Sequence, residues 1–133
     1  MSHITLGALI LAGGQNRRMG GSPKALLPNG SGARILDGLR AAFAGFDEKL
    51  LSTNTPELAA GTGFAPVPDA RPGMGPLAGL AAALSACQSD GLVVAACDMP
   101  CFDRAAAEFL ASFADQGWPA WALRDRAGRL HPL

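Results

Sequence analysis

The chain has no excess of one charge, no long hydrophobic run and no paired cysteines, and each absence removes a class of function. Lys plus Arg equal Asp plus Glu at 11 each, so no overall field gathers nucleic acid or an anionic membrane, and any anion site has to be built locally. No stretch approaches the roughly 18–20 apolar residues of a membrane span, and Met1-Ser2-His3-Ile4-Thr5 lacks the basic start and cleavage site of a secretory signal. A cytoplasmic location is expected. Cys87, Cys97 and Cys101 are an odd count without CxxC spacing, and His3 and His131 are the only histidines beside them. That set suits reduced thiols and makes a poor zinc site.

In 133 residues, 49% are hydrophobic and 17% charged, the proportions of one globular domain with a substantial core. Ile4 to Leu11 is a continuous apolar run that empties into glycines, which predicts a central strand covered on both faces. Helical spacing at Ile35, Leu36, Leu39 and Phe43 predicts a helix. A strand at Lys49–Thr53, a short helix near Pro56–Ala60 and an extended segment from Phe64 to Pro68 follow. Leu77 to Cys87 is an almost wholly apolar helix with Pro76 at its first turn, and is expected to be well buried. Gly91 to Cys97 is a second core strand, and Asp103 can cap a helix to about Ala114. A strand at Pro119–Leu123 and a polar turn at Arg124–Arg129 complete the reading. Alternating strands and helices predict a mostly parallel sheet in a three-layer α/β/α, Rossmann-like single domain. A strand entering at Leu130 would be cut short at Leu133, as expected of a C-terminally shortened chain.

The loop Leu11-Ala12-Gly13-Gly14-Gln15-Asn16-Arg17-Arg18-Met19-Gly20-Gly21-Ser22-Pro23-Lys24 leaves a buried strand. Its four glycines let backbone N–H groups approach phosphate oxygens, with Arg18 and Lys24 to neutralise them. Neither the Walker spacing nor GxGxxG is present. Glycines alone fit a plain connection equally well. A second cluster, Asp69-Ala70-Arg71-Pro72-Gly73-Met74-Gly75-Pro76-Leu77-Ala78-Gly79-Leu80, joins an acidic residue to a helix start, where anions are favoured. There, close helix packing at Ala78 and Gly79 and a turn at Asp69 are the simpler explanations. Asp98 follows the apolar strand Leu92 to Ala96, where open parallel sheets place ligands and a carboxylate can hold magnesium against phosphate. Asn54 occupies a comparable strand end, and caps and turns are the commoner use of such an asparagine.

Together these clusters resemble the nucleotidyltransferases of GT-A-like fold, and most closely the molybdenum cofactor guanylyltransferases of the MobA type. The resemblance implies a magnesium-dependent enzyme that moves GMP from GTP to molybdopterin, as its molybdenum form, and releases pyrophosphate. It implies catalytic roles for Arg18, Lys24 and Asp98, with Asp98 on Mg2+. Leu11, Ala12, Gly13, Lys24, Asn54, Asp69 and Asp98 would form the nucleotide site. Gly13-Gly14 favours guanine, because related cytidylyltransferases show Ala-Ala-Gly there. His131-Pro132 resembles the family's acceptor-side pair, and a histidine near a terminus is the plainer explanation. Trp118 and Trp121 suit cover for core surface or the sheet edge. Molybdoenzyme maturation proteins are further partners that the resemblance brings, and a monomer is expected. The sequence departs from the pattern at Asn16, where serine is common, at Pro23, where some members carry aspartate, and in lacking the family's C-terminal part. A relative using CTP or a sugar phosphate, and a catalytically silent nucleotide-binding module, are the competing readings.

Overall fold

The computed structural model describes residues 4–12, 35–71, 74–97, 102–117, 119–124 and 126–131. Its organising element is β1, Leu6–Leu11, a strand so apolar on both faces that it is stable only inside a sheet. It pairs in parallel with β2, Lys49–Ser52, on one side and with β4, Gly91–Ala96, on the other. β3, Ala65–Val67, extends the sheet beyond β2, giving the order β3-β2-β1-β4, parallel throughout. The chain therefore builds outward from β1 to β3 and then returns to its other flank at β4. Such a reversal makes a topological switch point, and ligands of open α/β sheets bind outside the carboxyl ends of the strands there.

The two faces are covered unequally. On one face, Ala8, Ile10, Leu51, Val93, Ala95 and Cys97 meet Leu36, Leu39, Ala42 and Phe43 of helix α1, Ile35–Ala42, and its end. Phe102 and Ala107 join the same cluster from α3, Arg104–Ala111, and its approach. A 3-10 turn, Pro56–Ala59, adds Ala59. Phe43 is completely buried, with the rings of Phe46 and Phe102 at 5.4 and 5.6 Å. α3 begins where expected: the Asp103 carboxylate accepts from the Ala106 amide at 2.9 Å, satisfying a donor that the helix leaves free.

The opposite face holds Leu9, Leu11, Leu50 and Val67 under helix α2, Pro76–Ala86. This helix was expected to be well buried, and it is not: only Gly79 and Ala83 are buried, while Leu77 and Leu84 are 69% and 52% exposed. An eleven-residue helix lying alone on a sheet buries only the stripe that faces it. Among the described residues nothing else covers its outer side. The sequence expectation also fails at Pro119–Leu123. There the only ladder is a short antiparallel pair, β5 at Leu123–Arg124 and β6 at Leu130–His131. Pairing starts at Leu123 and Arg124 is strand, with a turn at 126–128 among the described residues. Trp121 stacks on Phe113 at 5.3 Å and remains 40% exposed. Cys87 is a free thiol, and no described helix is long and apolar enough to cross a membrane.

The amino edge of the sheet is tied by two carboxylates. Glu48 accepts from the amides of Gln88 and Ser89 at 2.8 and 2.9 Å. Asp90 accepts from the Thr5 amide at 2.8 Å and its hydroxyl at 3.1 Å. Gly7 has to be glycine-sized here, because a Cβ would stand 3.0 Å from both Glu48 Oε1 and Leu92 Cδ2. Hydrogen bonds from the Ser89 side chain and the Gln88 amide hold the Glu48 carboxyl below its ordinary 4.5. The Thr5 amide, with its hydroxyl, does the same for Asp90, below 3.8.

A carboxylate whose pKa is lower folded than unfolded adds stability that is present above the unfolded value and lost as pH falls through the folded one. The urea midpoint should therefore hold near neutrality and decline as pH drops below the ordinary 4.5 and 3.8 of these groups. Glu48→Gln should lower the neutral midpoint and flatten that decline. In the core, Phe43→Ala should cost about 3–5 kcal/mol in the same denaturation experiment.

Candidate functional site

At the carboxyl edge the ladders continue one residue past the strands. The Ala12 amide donates to Ser52 O at 2.8 Å, Cys97 N to Leu11 O at 3.1 Å, and Thr53 N to Val67 O at 3.1 Å. The four strand ends are thereby locked together before the chain turns away. Thr53 is buried, and its hydroxyl accepts from the Thr55 amide at 2.9 Å. This local turn throws Asn54 outward at the edge.

Asn54 then meets Asp69. Its Oδ1 accepts from the Asp69 amide at 2.9 Å, and its Nδ2 donates to Asp69 Oδ2 at 3.3 Å. The second carboxylate oxygen, Oδ1, is buried and has no hydrogen-bond partner among the described residues. It lies against Gly79 in the first turns of α2, where a Cβ would come within 3.2 Å of it and 3.5 Å of Leu11 Cδ2, and would collide with the hydroxyl of the buried Ser52. α2 can approach this closely only because residue 79 has no side chain. The helix is launched from Gly75, at φ +82°, a conformation that favours glycine, with Pro76 at the first helical position.

Of the residues expected in the site, the fold brings Leu11, Ala12, Asn54 and Asp69 to one edge. Gly13, Arg18, Lys24 and Asp98 lie outside the described residues. His131 falls in β6, where it pairs with Leu123. Two neighbours went unassigned in the sequence: Ser52, which reads as one more strand residue, and Gly79, whose packing explanation is correct yet incomplete. The signal for Ser52 was its polarity at the inward-facing end of an apolar strand.

An unpaired carboxylate oxygen is an acceptor and calls for an N–H or O–H donor, or a cation; it disfavours another anion. Among the described residues no three His, Cys, Asp or Glu side chains converge as a metal cage. Magnesium needs less than a cage, since it commonly takes one or two carboxylates with phosphate and water. An acidic strand end on this edge, the setting of Asp98 in the sequence, fits that donor chemistry.

A family model described as the MobA-like NTP transferase domain matches residues 8–133. Among curated relatives, a molybdenum cofactor guanylyltransferase of Mesorhizobium japonicum is 37% identical over 96% of this chain and 64% of its own length. Another, from Cereibacter sphaeroides, is 39% identical over 97% of this chain and 67% of its own. A third, from Shewanella piezotolerans, is 38% identical over 76% and 50%. The chain thus spans between half and two-thirds of the length of these relatives. Among solved structures, Rv0371c from Mycobacterium tuberculosis H37Rv superposes with a TM-score of 0.56 at 25% identity, over 85% of this chain and 62% of that one.

The close approach of α2 can be tested by overfilling it. Gly79→Ala should destabilise the fold by about 1–3 kcal/mol, measured by urea unfolding. Adding Ser52→Ala, which removes the atom struck, should recover most of that loss.

Proposed function

Since the chain belongs to the MobA-like NTP transferase family, we propose that it is a molybdenum cofactor guanylyltransferase, binding GTP at the carboxyl edge of the sheet and passing GMP to molybdopterin in its molybdenum form. The observation that carries this reading is the meeting of Leu11, Asn54, Asp69 and Gly79 on one side of the switch point, in a chain whose relatives bear that name. The reading includes a cytoplasmic monomer, and molybdoenzyme maturation proteins as recipients of the product.

In this reaction an oxygen of the acceptor phosphate attacks the α-phosphorus of GTP. A new phosphoanhydride bond forms, the α–β bridge breaks, and pyrophosphate leaves with the bridging electrons. No side chain needs to become a nucleophile, so positioning and neutralisation of charge dominate. Leu11, Ala12 and Gly13 would hold the nucleotide through the backbone, while Arg18 and Lys24 would neutralise its phosphates. Asp69, aided by Asn54, would meet a donor on the nucleoside, because a carboxylate repels phosphate oxygens. Asp98 would hold magnesium, which supplies electrostatic stabilisation of the phosphates when bound.

A calorimetric titration across GTP, CTP and ATP, with and without Mg2+, tests the reading. GTP with magnesium should bind at least roughly tenfold more tightly than CTP, and Asp98→Asn should abolish the benefit of the metal. Pyrophosphate should appear only when molybdopterin or its molybdenum form is added. A preference for CTP would reassign the donor. Tight GTP binding without pyrophosphate would leave a binding module and overturn the transferase.

A further inference from the structure

We infer that Thr53 is a positioning residue for the nucleotide site: its buried hydroxyl sets the direction in which Asn54 is presented. The inference rests on the nucleotide site proposed above and deepens it. Thr53 carries the pairing of β2 one residue further, its amide donating to Val67 O at 3.1 Å. Its side chain is 1% exposed, too deep to touch a ligand. The hydroxyl is used twice on one residue, accepting from the Thr55 amide at 2.9 Å and donating to Thr55 O at 3.3 Å. The same carbonyl receives Leu58 N at 3.0 Å, at the start of the 3-10 turn Pro56–Ala59.

Asn54 is therefore bracketed. The residue before it is fixed to β3, and the residue after it is clasped at both its N–H and its C=O by Thr53. Held in this way, the Asn54 amide lies against Asp69 through the two hydrogen bonds already described, and keeps one N–H and one lone pair for a ligand. Folding does not demand the clasp. Thr55 is exposed, so water can take over its polar groups when the hydroxyl is gone. Valine, equally β-branched, keeps the shape and the strand preference of Thr53. What neither water nor valine restores is the direction of residue 54, so the hydroxyl serves the site more than the fold.

The test uses the full chain, with Mg-GTP as the probe and calorimetry well below the unfolding temperature. Thr53→Val should weaken binding roughly fivefold, the worth of about one well-placed hydrogen bond. Thr53→Ser, which loses only a methyl group and keeps the hydroxyl, should bind within about twofold of the unsubstituted chain. On an Asn54→Ala background, Thr53→Val should add no more than about twofold, because nothing is left to aim. In the ligand-free chain, the side-chain N–H resonances of Asn54 should move to the positions of a free amide in Thr53→Val and stay in place in Thr53→Ser. A lowered melting temperature with unchanged dissociation constant and unchanged Asn54 resonances would mark a merely structural threonine and overturn the inference. So would a Thr53→Ser variant as weak as Thr53→Val, or losses that multiply across the cycle, since the hydroxyl would then act elsewhere. If the unsubstituted chain bound no nucleoside triphosphate, the proposed function would fall and this inference with it, whereas a chain that binds GTP and ignores Thr53→Val sinks the inference alone.

Discussion

β1 pairs with β4 along its whole length and with β2 from Ala8 to Leu11, and is wrapped by side chains on both faces. A strand so enclosed has no water to satisfy its N–H and C=O groups, so its neighbours must be present and in register. Most of the architecture answers that demand. β2 and β4 supply the ladders, α1 and α3 cover Ala8 and Ile10, and α2 covers Leu9 and Leu11. Gly7 is held to its minimum size by Glu48 and Leu92 at the amino end. At the carboxyl end, Ala12 and Cys97 extend the pairing to the lip of the sheet.

The two ends of the sheet handle carboxylates in opposite ways. At the amino edge Glu48 and Asp90 are satisfied by amides of the α2–β4 connection and of Thr5, and their charge is spent on holding the fold together. At the carboxyl edge Asp69 has one oxygen tied to Asn54 and one left without a donor. A charge satisfied internally is structural, whereas one left partly unmet in a crowded corner can be completed from outside. The polarity of a parallel sheet thus sets internally satisfied carboxylates at one end and a partly unmet one at the other.

Much of the fold was legible because its signals were strong and local. The apolar runs at Leu6–Leu11 and Gly91–Ala96 admit little except buried parallel strands, Leu36, Leu39 and Phe43 keep one helical face, and Asp103 has the chemistry of a cap. The errors came where partners decide the outcome. Leu77 and Leu84 have the composition of core residues and stand exposed because nothing described lies over them. Residues 119–122 could form a strand but find no ladder. Within the site, the family resemblance of their motifs grouped Leu11, Asn54 and Asp69. The bridge between Asn54 and Asp69, and the contact of Gly79 with Ser52, depend on the register of β2 against β3 and on how α2 lies across them. No spacing along the chain encodes those distances.

α2 buries Gly79 and Ala83, with Leu80 and Ala82 partly covered, where α1 contributes several large side chains to the core. Local opening free energies follow buried apolar area, so α2 should lift from the sheet at lower cost than α1. The wall behind Asp69 is the first turns of this compliant helix. A ligand filling the corner would do more than occupy a cleft: it would clamp the helix to the sheet, and its arrival would be written along α2 as slowed amide exchange as far as Ala86.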